Sequence, residues 1–191
     1  MPTAWCTRWY PEILLRHLPN LFTLLRLALT PVIALAIVDQ RFRDALLLCM
    51  LAGVTDGIDG QLARRFHWQS RAGAVLDPLA DKALLMLVFI SLGIAWAVPR
   101  WLVWLVVGRD ALILLMAVCA LALTKIREFP PSWWGKVSTT VQLCSAVTFM
   151  AARAWPHPIF GALVPLGIGL TAAATIWSGL HYAWLGWRAV R

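Results

Sequence analysis

The chain has 191 residues, 61% of them hydrophobic and 14% charged, with a formal net charge of +8 and a mean hydropathy of +0.74. That balance excludes an ordinary water-soluble domain and a wholly disordered chain. In so apolar a protein the acidic partners expected are lipid headgroups and phosphorylated substrates, and nucleic acid is not expected.

Taken in chain order, residues 1–18 lack a continuous apolar core and carry Arg8, Glu12, Arg16 and His17, so no cleavable signal peptide is read there. Trp5, Trp9, Ile13 and Leu14 share one helical face, which fits an interfacial amphipathic helix, with a disordered tail as the alternative. Six apolar stretches of about 20 residues follow, at 20–38, 45–64, 73–98, 101–124, 133–152 and 159–187. The expected fold class is therefore an all-α integral membrane protein. Residues 1–191 form a single membrane domain of six transmembrane helices behind a juxtamembrane helix. Twelve Trp and eleven Pro suit helices that meet two water interfaces. The four cysteines, Cys6, Cys49, Cys119 and Cys144, are scattered without CxxC spacing and read as small apolar fillers.

An even number of spans puts both termini on one side, and basic residues choose it. The N-terminal segment, the second and fourth connections and the tail hold Arg8, Arg16, Arg64, Arg65, Arg71, Lys125, Arg127, Lys136, Arg188 and Arg191. The opposite connections hold Arg41, Arg43, Arg100 and Arg153. The excess favours cytoplasmic termini, in an inner membrane if the source is bacterial.

Between Asp56 and Asp81 the chain reads D-x2-D-G-x2-A-R-x8-G-x3-D-x3-D, which gathers four of its nine acidic residues. A carboxylate beside lipid-facing segments costs roughly 3 kcal/mol on insertion scales, so a functional role is the default reading. Asp56 and Asp59 are three apart and Asp77 and Asp81 four apart, so each pair shares a helical face. Folding the 65–72 connection back would converge four carboxylates on one volume. Such a cluster must protonate in part or bind a cation. Oxygen ligands without nearby His or Cys select a hard divalent ion, with enough carboxylates for two. Gly60 and Gly73 leave room for close approach of a ligand, Ala63 is small on the same side, and Arg64 offers a planar donor fork for phosphate.

That string resembles the signature of the CDP-alcohol phosphatidyltransferases at every fixed position, and the six-span count agrees. Members of that family displace CMP from a CDP-linked lipid by attack of an alcohol hydroxyl. The resemblance implies that Asp56, Asp59 and Asp77 hold Mg²⁺ or Mn²⁺, in all two ions, with the pyrophosphate of the donor, CDP-diacylglycerol. It implies that Asp81 touches the second ion and is the general base, and that Gly60, Ala63, Arg64 and Gly73 line the CDP pocket. A homodimer through spans three and four is also implied.

The acceptor must be read elsewhere. L-P-N-L-F-T-L-L-R, at 18–26, is similar to the opening of phosphatidylglycerol-phosphate and cardiolipin synthases, and Asn20, Thr23 and Arg26 recur there at helical spacing. The plainer reading is a capped helix start with a snorkelling arginine. Lys136 lies in a G-K-x-x-T-x-x-Q stretch of the same enzymes, where it binds acceptor phosphate or simply anchors the helix. Arg109 and Asp110 fall inside span four and suit the acceptor pocket, or else pair with neighbouring helices. No arginine follows them up to Thr124, whereas two arginines suit the dianionic phosphate of glycerol-3-phosphate. This R-D form and the S-G-L-H-Y at 178–182 resemble the cardiolipin-forming branch, whose acceptor is phosphatidylglycerol. The glycerol-3-phosphate branch is the alternative. A cation transport protein and an inactive scaffold are the readings from other classes.

Overall fold

Each expected apolar stretch is a helix in the computed structural model, which describes residues 9–66, 71–123 and 133–190, with side chains from 24–55, 80–115 and 133–184. The helices are α1 (Trp9–Val38), α2 (Phe42–Phe66), α3 (Arg71–Ile94), α4 (Arg100–Leu123), α5 (Trp133–Ala154) and α6 (Phe160–Val190), and no strand occurs among the described residues. α1 packs against α2 and α3, α5 against α6 and α2, and α4 against α6 and α3.

Two boundaries differ from the sequence reading. The juxtamembrane helix and the first span are one helix from Trp9, running through Pro11 and Pro19. Proline costs a helix one hydrogen bond and a clash with the preceding turn, yet it is tolerated where neighbouring groups relieve both. α3 ends at Ile94 instead of Val98. Its stop is a Schellman turn, with the Ala97 amide donating to Leu92 O at 2.9 Å and that of Trp96 to Gly93 O at 3.4 Å. α1 stops the same way, the Arg41 amide donating to Ala36 O at 2.8 Å and that of Gln40 to Ile37 O at 3.0 Å. The left-handed positions are held by Trp96 (φ 55°) and Gln40 (φ 63°), where glycine is the usual residue.

These turns are fastened together. The Gln40 side chain donates to Ala95 O at 3.5 Å, Arg153 donates to Trp96 O, and Arg43 donates to Ala154 O at 3.2 Å. Arg100 stacks over the Trp96 ring, 3.9 Å from its centroid. The ends of α1, α3 and α5 and the starts of α2, α4 and α6 therefore meet at one end of the bundle. The four arginines of these connections sit on helix-end carbonyls, an aromatic ring or, for Arg41, the carboxylates of Asp39 and Asp44. Cations are favoured against the negative ends of helix dipoles.

The interior has two halves. Next to the fastened end lies a dry core of Ile33, Ile37, Phe42, Phe89, Leu92, Leu102, Phe149 and Met150. Toward the other end the buried residues turn polar: Arg26, Thr30, Arg109, Asp110, Ser138, Gln142, Thr175 and Ser178. The outside is apolar instead, with Leu166, Leu170, Ile176, Trp177 and Leu180 exposed along α6.

The bundle is all-helical, as expected. Among the described residues a single helical segment, Phe160–Trp184, is long and apolar enough by itself to cross a membrane. A shorter apolar helical segment, Leu24–Val38, lies on α1.

Candidate functional site

The acidic string occupies the C-terminal part of α2 and the N-terminal part of α3. Asp56, Asp59, Gly60, Ala63 and Arg64 lie on α2, and Gly73, Asp77 and Asp81 on α3. α1, which carries Asn20, Thr23 and Arg26, packs against both helices. Of this group the described side chains are those of Arg26 and Asp81. Those of Asn20, Thr23, Asp56, Asp59, Gly60, Ala63, Arg64, Gly73 and Asp77 lie outside the described residues, as do residues 67–70 of the connection.

Arg26 and Asp81, 55 positions apart, form an ion pair through one guanidinium nitrogen and one carboxylate oxygen. The partners are unequal. The arginine side chain is 5% exposed and the carboxylate 53%, so α1 presents a buried cation beneath a carboxylate that still faces outward. Thr30 donates its hydroxyl to Arg26 O at 2.8 Å, one turn along the same helix. A buried guanidinium is costly unless paired, and here its charge is matched by a residue of the signature.

The second polar group joins α4, α5 and α6. Arg109 donates to Asp110 Oδ1 at 2.5 Å and to Ser178 Oγ at 2.6 Å. Both partners of the ion pair are buried, with side chains 6% and 10% exposed. Its guanidinium also lies 5.9 Å from the Tyr182 ring centroid. Its Nε, although buried, has no hydrogen-bond partner, and the same holds for His181 Nδ1. One helix away, Gln142 donates to Thr175 Oγ1 at 3.0 Å and to Ser138 Oγ at 3.4 Å, and Ser145 donates to Gly167 O at 3.3 Å. Gln142 Oε1 and Thr171 Oγ1 are buried without partners as well.

Lys136 stands in the first turn of α5 and is exposed. Gly135 beside it is buried, and a Cβ there would come within 2.8 Å of the Tyr182 hydroxyl. Tyr182 therefore spans from Arg109 on α4 to the first turn of α5. Sequence reasoning had singled out Arg109, Asp110 and Lys136 but gave no role to Ser178, His181 or Tyr182 individually. The only signal they carried was their place in one short string on α6.

In charge terms, a buried cation supports an outward-facing carboxylate on α3, and a neutralised cation with one unused N–H sits between α4 and α6. The donors available are carboxylates, guanidinium, ammonium and hydroxyl groups, a set made for phosphate esters and hard cations rather than for redox chemistry or thiolate metals. Such an all-helical bundle, polar within and apolar without, defines a class of protein that handles phosphorylated ligands among apolar ones.

The CDP-alcohol phosphatidyltransferase family pattern matches residues 16–180, and the chain belongs to that family. It is 32% identical over 187 residues to the cardiolipin synthase (CMP-forming) of Rattus norvegicus, a match covering 86% of this chain and 61% of the relative. It is 35% identical over 177 residues to the probable cardiolipin synthase (CMP-forming) of Drosophila melanogaster, covering 83% and 55%. To the CDP-diacylglycerol–glycerol-3-phosphate 3-phosphatidyltransferase of Escherichia coli it is 33% identical over 175 residues, covering 87% and 92%. The chain thus spans less than two thirds of the length of these cardiolipin synthases.

Proposed function

We propose that the protein is a cardiolipin synthase that transfers the phosphatidyl group of CDP-diacylglycerol to a hydroxyl of phosphatidylglycerol, releasing CMP. Membership of the family supports the donor and the reaction type. Identity to relatives of both branches is alike, so it does not choose the acceptor. The observation that carries the choice is the buried Arg109–Asp110 pair. Its two charges cancel, and no arginine follows it on α4. A pocket so balanced, with Lys136 as the further cation in the reading, suits a phosphodiester of one negative charge better than a dianionic phosphate monoester.

In this reading all six helices cross the membrane, the fastened end faces outward and the acidic string opens to the cytoplasmic side. α1 and α6 have 30 and 31 residues, about 45 Å each, against a hydrocarbon thickness of about 30 Å. Their inner ends therefore extend past the lipid core into the headgroup zone. A homodimer would form along the apolar groove between α3 and α4, lined by Ile90, Gly93, Ile94, Val103, Trp104 and Val107.

The chemistry follows from the residues. Asp56, Asp59, Asp77 and Asp81 would hold one or two Mg²⁺ or Mn²⁺ ions, which supply neutralisation of the donor's pyrophosphate charge. The exposed half of the Asp81 carboxylate fits that role, because it keeps oxygen lone pairs open while Arg26 engages the other side. Asp81 accepts the proton of the acceptor hydroxyl as that oxygen attacks the phosphorus bearing the diacylglycerol. The bond from that phosphorus to the CMP oxygen breaks, and CMP leaves as the anion. Arg26 holds the Asp81 carboxylate in place toward the hydroxyl. Arg64, Gly60, Ala63 and Gly73 would seat the CDP moiety, and Asn20 and Thr23 would line the same face of α1.

The test incubates purified protein and Mg²⁺ with labelled CDP-diacylglycerol, offering phosphatidylglycerol, glycerol-3-phosphate, serine and inositol phosphate separately. Cardiolipin is the expected product. Phosphatidylglycerol phosphate would transfer the reading to the other branch, and no CMP release with any alcohol would remove the enzyme reading altogether.

A further inference from the structure

The polar group between α4, α5 and α6 carries more than a buried ion pair requires. Asp110 already neutralises Arg109, yet α6 adds a second acceptor for its guanidinium, Ser178 Oγ, and the ring of Tyr182. Ser178 is fully buried, so its hydroxyl has no role in solvation. With NH1 on Asp110 and NH2 on Ser178, the guanidinium cannot turn, and the one nitrogen left over is Nε, buried and unpartnered. A buried N–H of a charged group left without an acceptor costs on the order of 2 kcal/mol. A fold that holds it so firmly in that state presents it to something. His181 Nδ1, on the neighbouring turn of α6, is in the same condition.

We propose that Ser178 and Tyr182 are positioning residues for the acceptor. They hold Arg109 so that its Nε–H meets a phosphate oxygen of the acceptor, and Tyr182 sets the distance from that point to Lys136. The inference rests on the reading that Arg109 serves the acceptor. Tyr182 acts through its ring. One face approaches the guanidinium, and the hydroxyl end abuts Gly135 so closely that a Cβ there would lie 2.8 Å from the oxygen and 3.3 Å from Cε2. Glycine at 135 is what lets the ring reach across. Lys136 follows it directly, so any displacement of the ring changes the spacing of the two cations. A phosphate held between them is sensitive to that spacing, because charge-assisted hydrogen bonds fall off steeply with geometry.

Steady-state kinetics on the purified full chain in lipid nanodiscs test this. They use whichever of phosphatidylglycerol and glycerol-3-phosphate the wild type accepts, so the wild type decides the acceptor and the variants decide the inference. Ser178→Ala is expected to raise the acceptor KM about tenfold, the loss of one hydrogen bond to a charged group, and Tyr182→Leu about fivefold, the loss of the ring beside the guanidinium. The CDP-diacylglycerol KM should stay within about twofold. Gly135→Ala, made on a different helix, should raise the acceptor KM by a similar factor. Adding Tyr182→Phe to it removes the oxygen that clashes and should restore most of the loss. A merely structural role would move both substrates' KM together and give no rescue. Equal movement of the two KM values, no movement of either, or a Gly135→Ala variant that Tyr182→Phe leaves unrepaired would each overturn the proposal. Should Ser178→Ala fail to fold, the glycine and tyrosine variants decide the matter alone.

Discussion

Asp110→Asn isolates the electrostatics of the α4 pair with almost no change of shape. In the wild type the carboxylate accepts from Arg109 at 2.5 Å, and the two side chains are 6% and 10% exposed. Opposite charges about 4 Å apart at an effective dielectric of about 20 attract by about 4 kcal/mol. The amide keeps one neutral hydrogen bond to the guanidinium, worth about 1 kcal/mol. The variant should therefore lose about 3 kcal/mol, the lower end of what breaking a buried pair costs. For a chain of this size that is a fall in Tm of roughly 6–12 °C. Tryptophan fluorescence during thermal unfolding in detergent reads it directly. Arg109→Met in the same chain removes the orphaned cation, and the double variant should recover at least half of the loss. An Asp110→Asn protein melting within about 1 °C of wild type would refute the reasoning, as would a double variant no more stable than the single one.

Asp81→Asn should lower transfer at least about 100-fold, the lower range for loss of a general base, while labelled CDP-diacylglycerol still binds; wild-type turnover would remove Asp81 from that role. Excess chelator should abolish CMP release and added Mg²⁺ or Mn²⁺ restore it, and full activity in chelator would end the carboxylate–cation account. Gly93→Ala puts a Cβ 2.7 Å from Val103 Cγ2, so it should cost about 1–3 kcal/mol by overpacking α3 on α4. Val103→Ala should relieve that cost, and an unchanged melting curve for the single variant would contradict the packing described.

The helices were legible because their apolar stretches are bounded by Arg, Trp and Pro clusters, and most ends agree to within a few residues. Two features escaped. Pro19 reads as a break between a surface helix and a span, whereas the chain continues helically through it. The end of α3 was invisible because its left-handed residue is Trp96 rather than glycine, and nothing local distinguishes that tryptophan from its neighbours. At the site, the acidic string announced itself by spacing. The partners of the buried arginines did not, since Asp81 lies 55 positions from Arg26 and Ser178 lies 69 from Arg109. Contacts that distant in sequence leave no periodic trace. Ser138 and Thr175 read as incidental polar residues in apolar spans, and Gln142 only as the last position of the stretch around Lys136, until α5 and α6 were brought together.

The dry core at the fastened end has a consequence for the membrane itself. In the six-span reading a polar interior with an open carboxylate, sunk into a bilayer, would be the beginning of a conduction path for protons. Phe89, Phe149, Ile37, Leu92, Leu102 and Met150 close that path with side chains that are at most 1% exposed. In the six-span reading the catalyst can therefore draw water, nucleotide and metal from one compartment without dissipating the gradient held against the other. Replacing one of these plug residues by a small polar one would be felt first as leakage, before any loss of turnover.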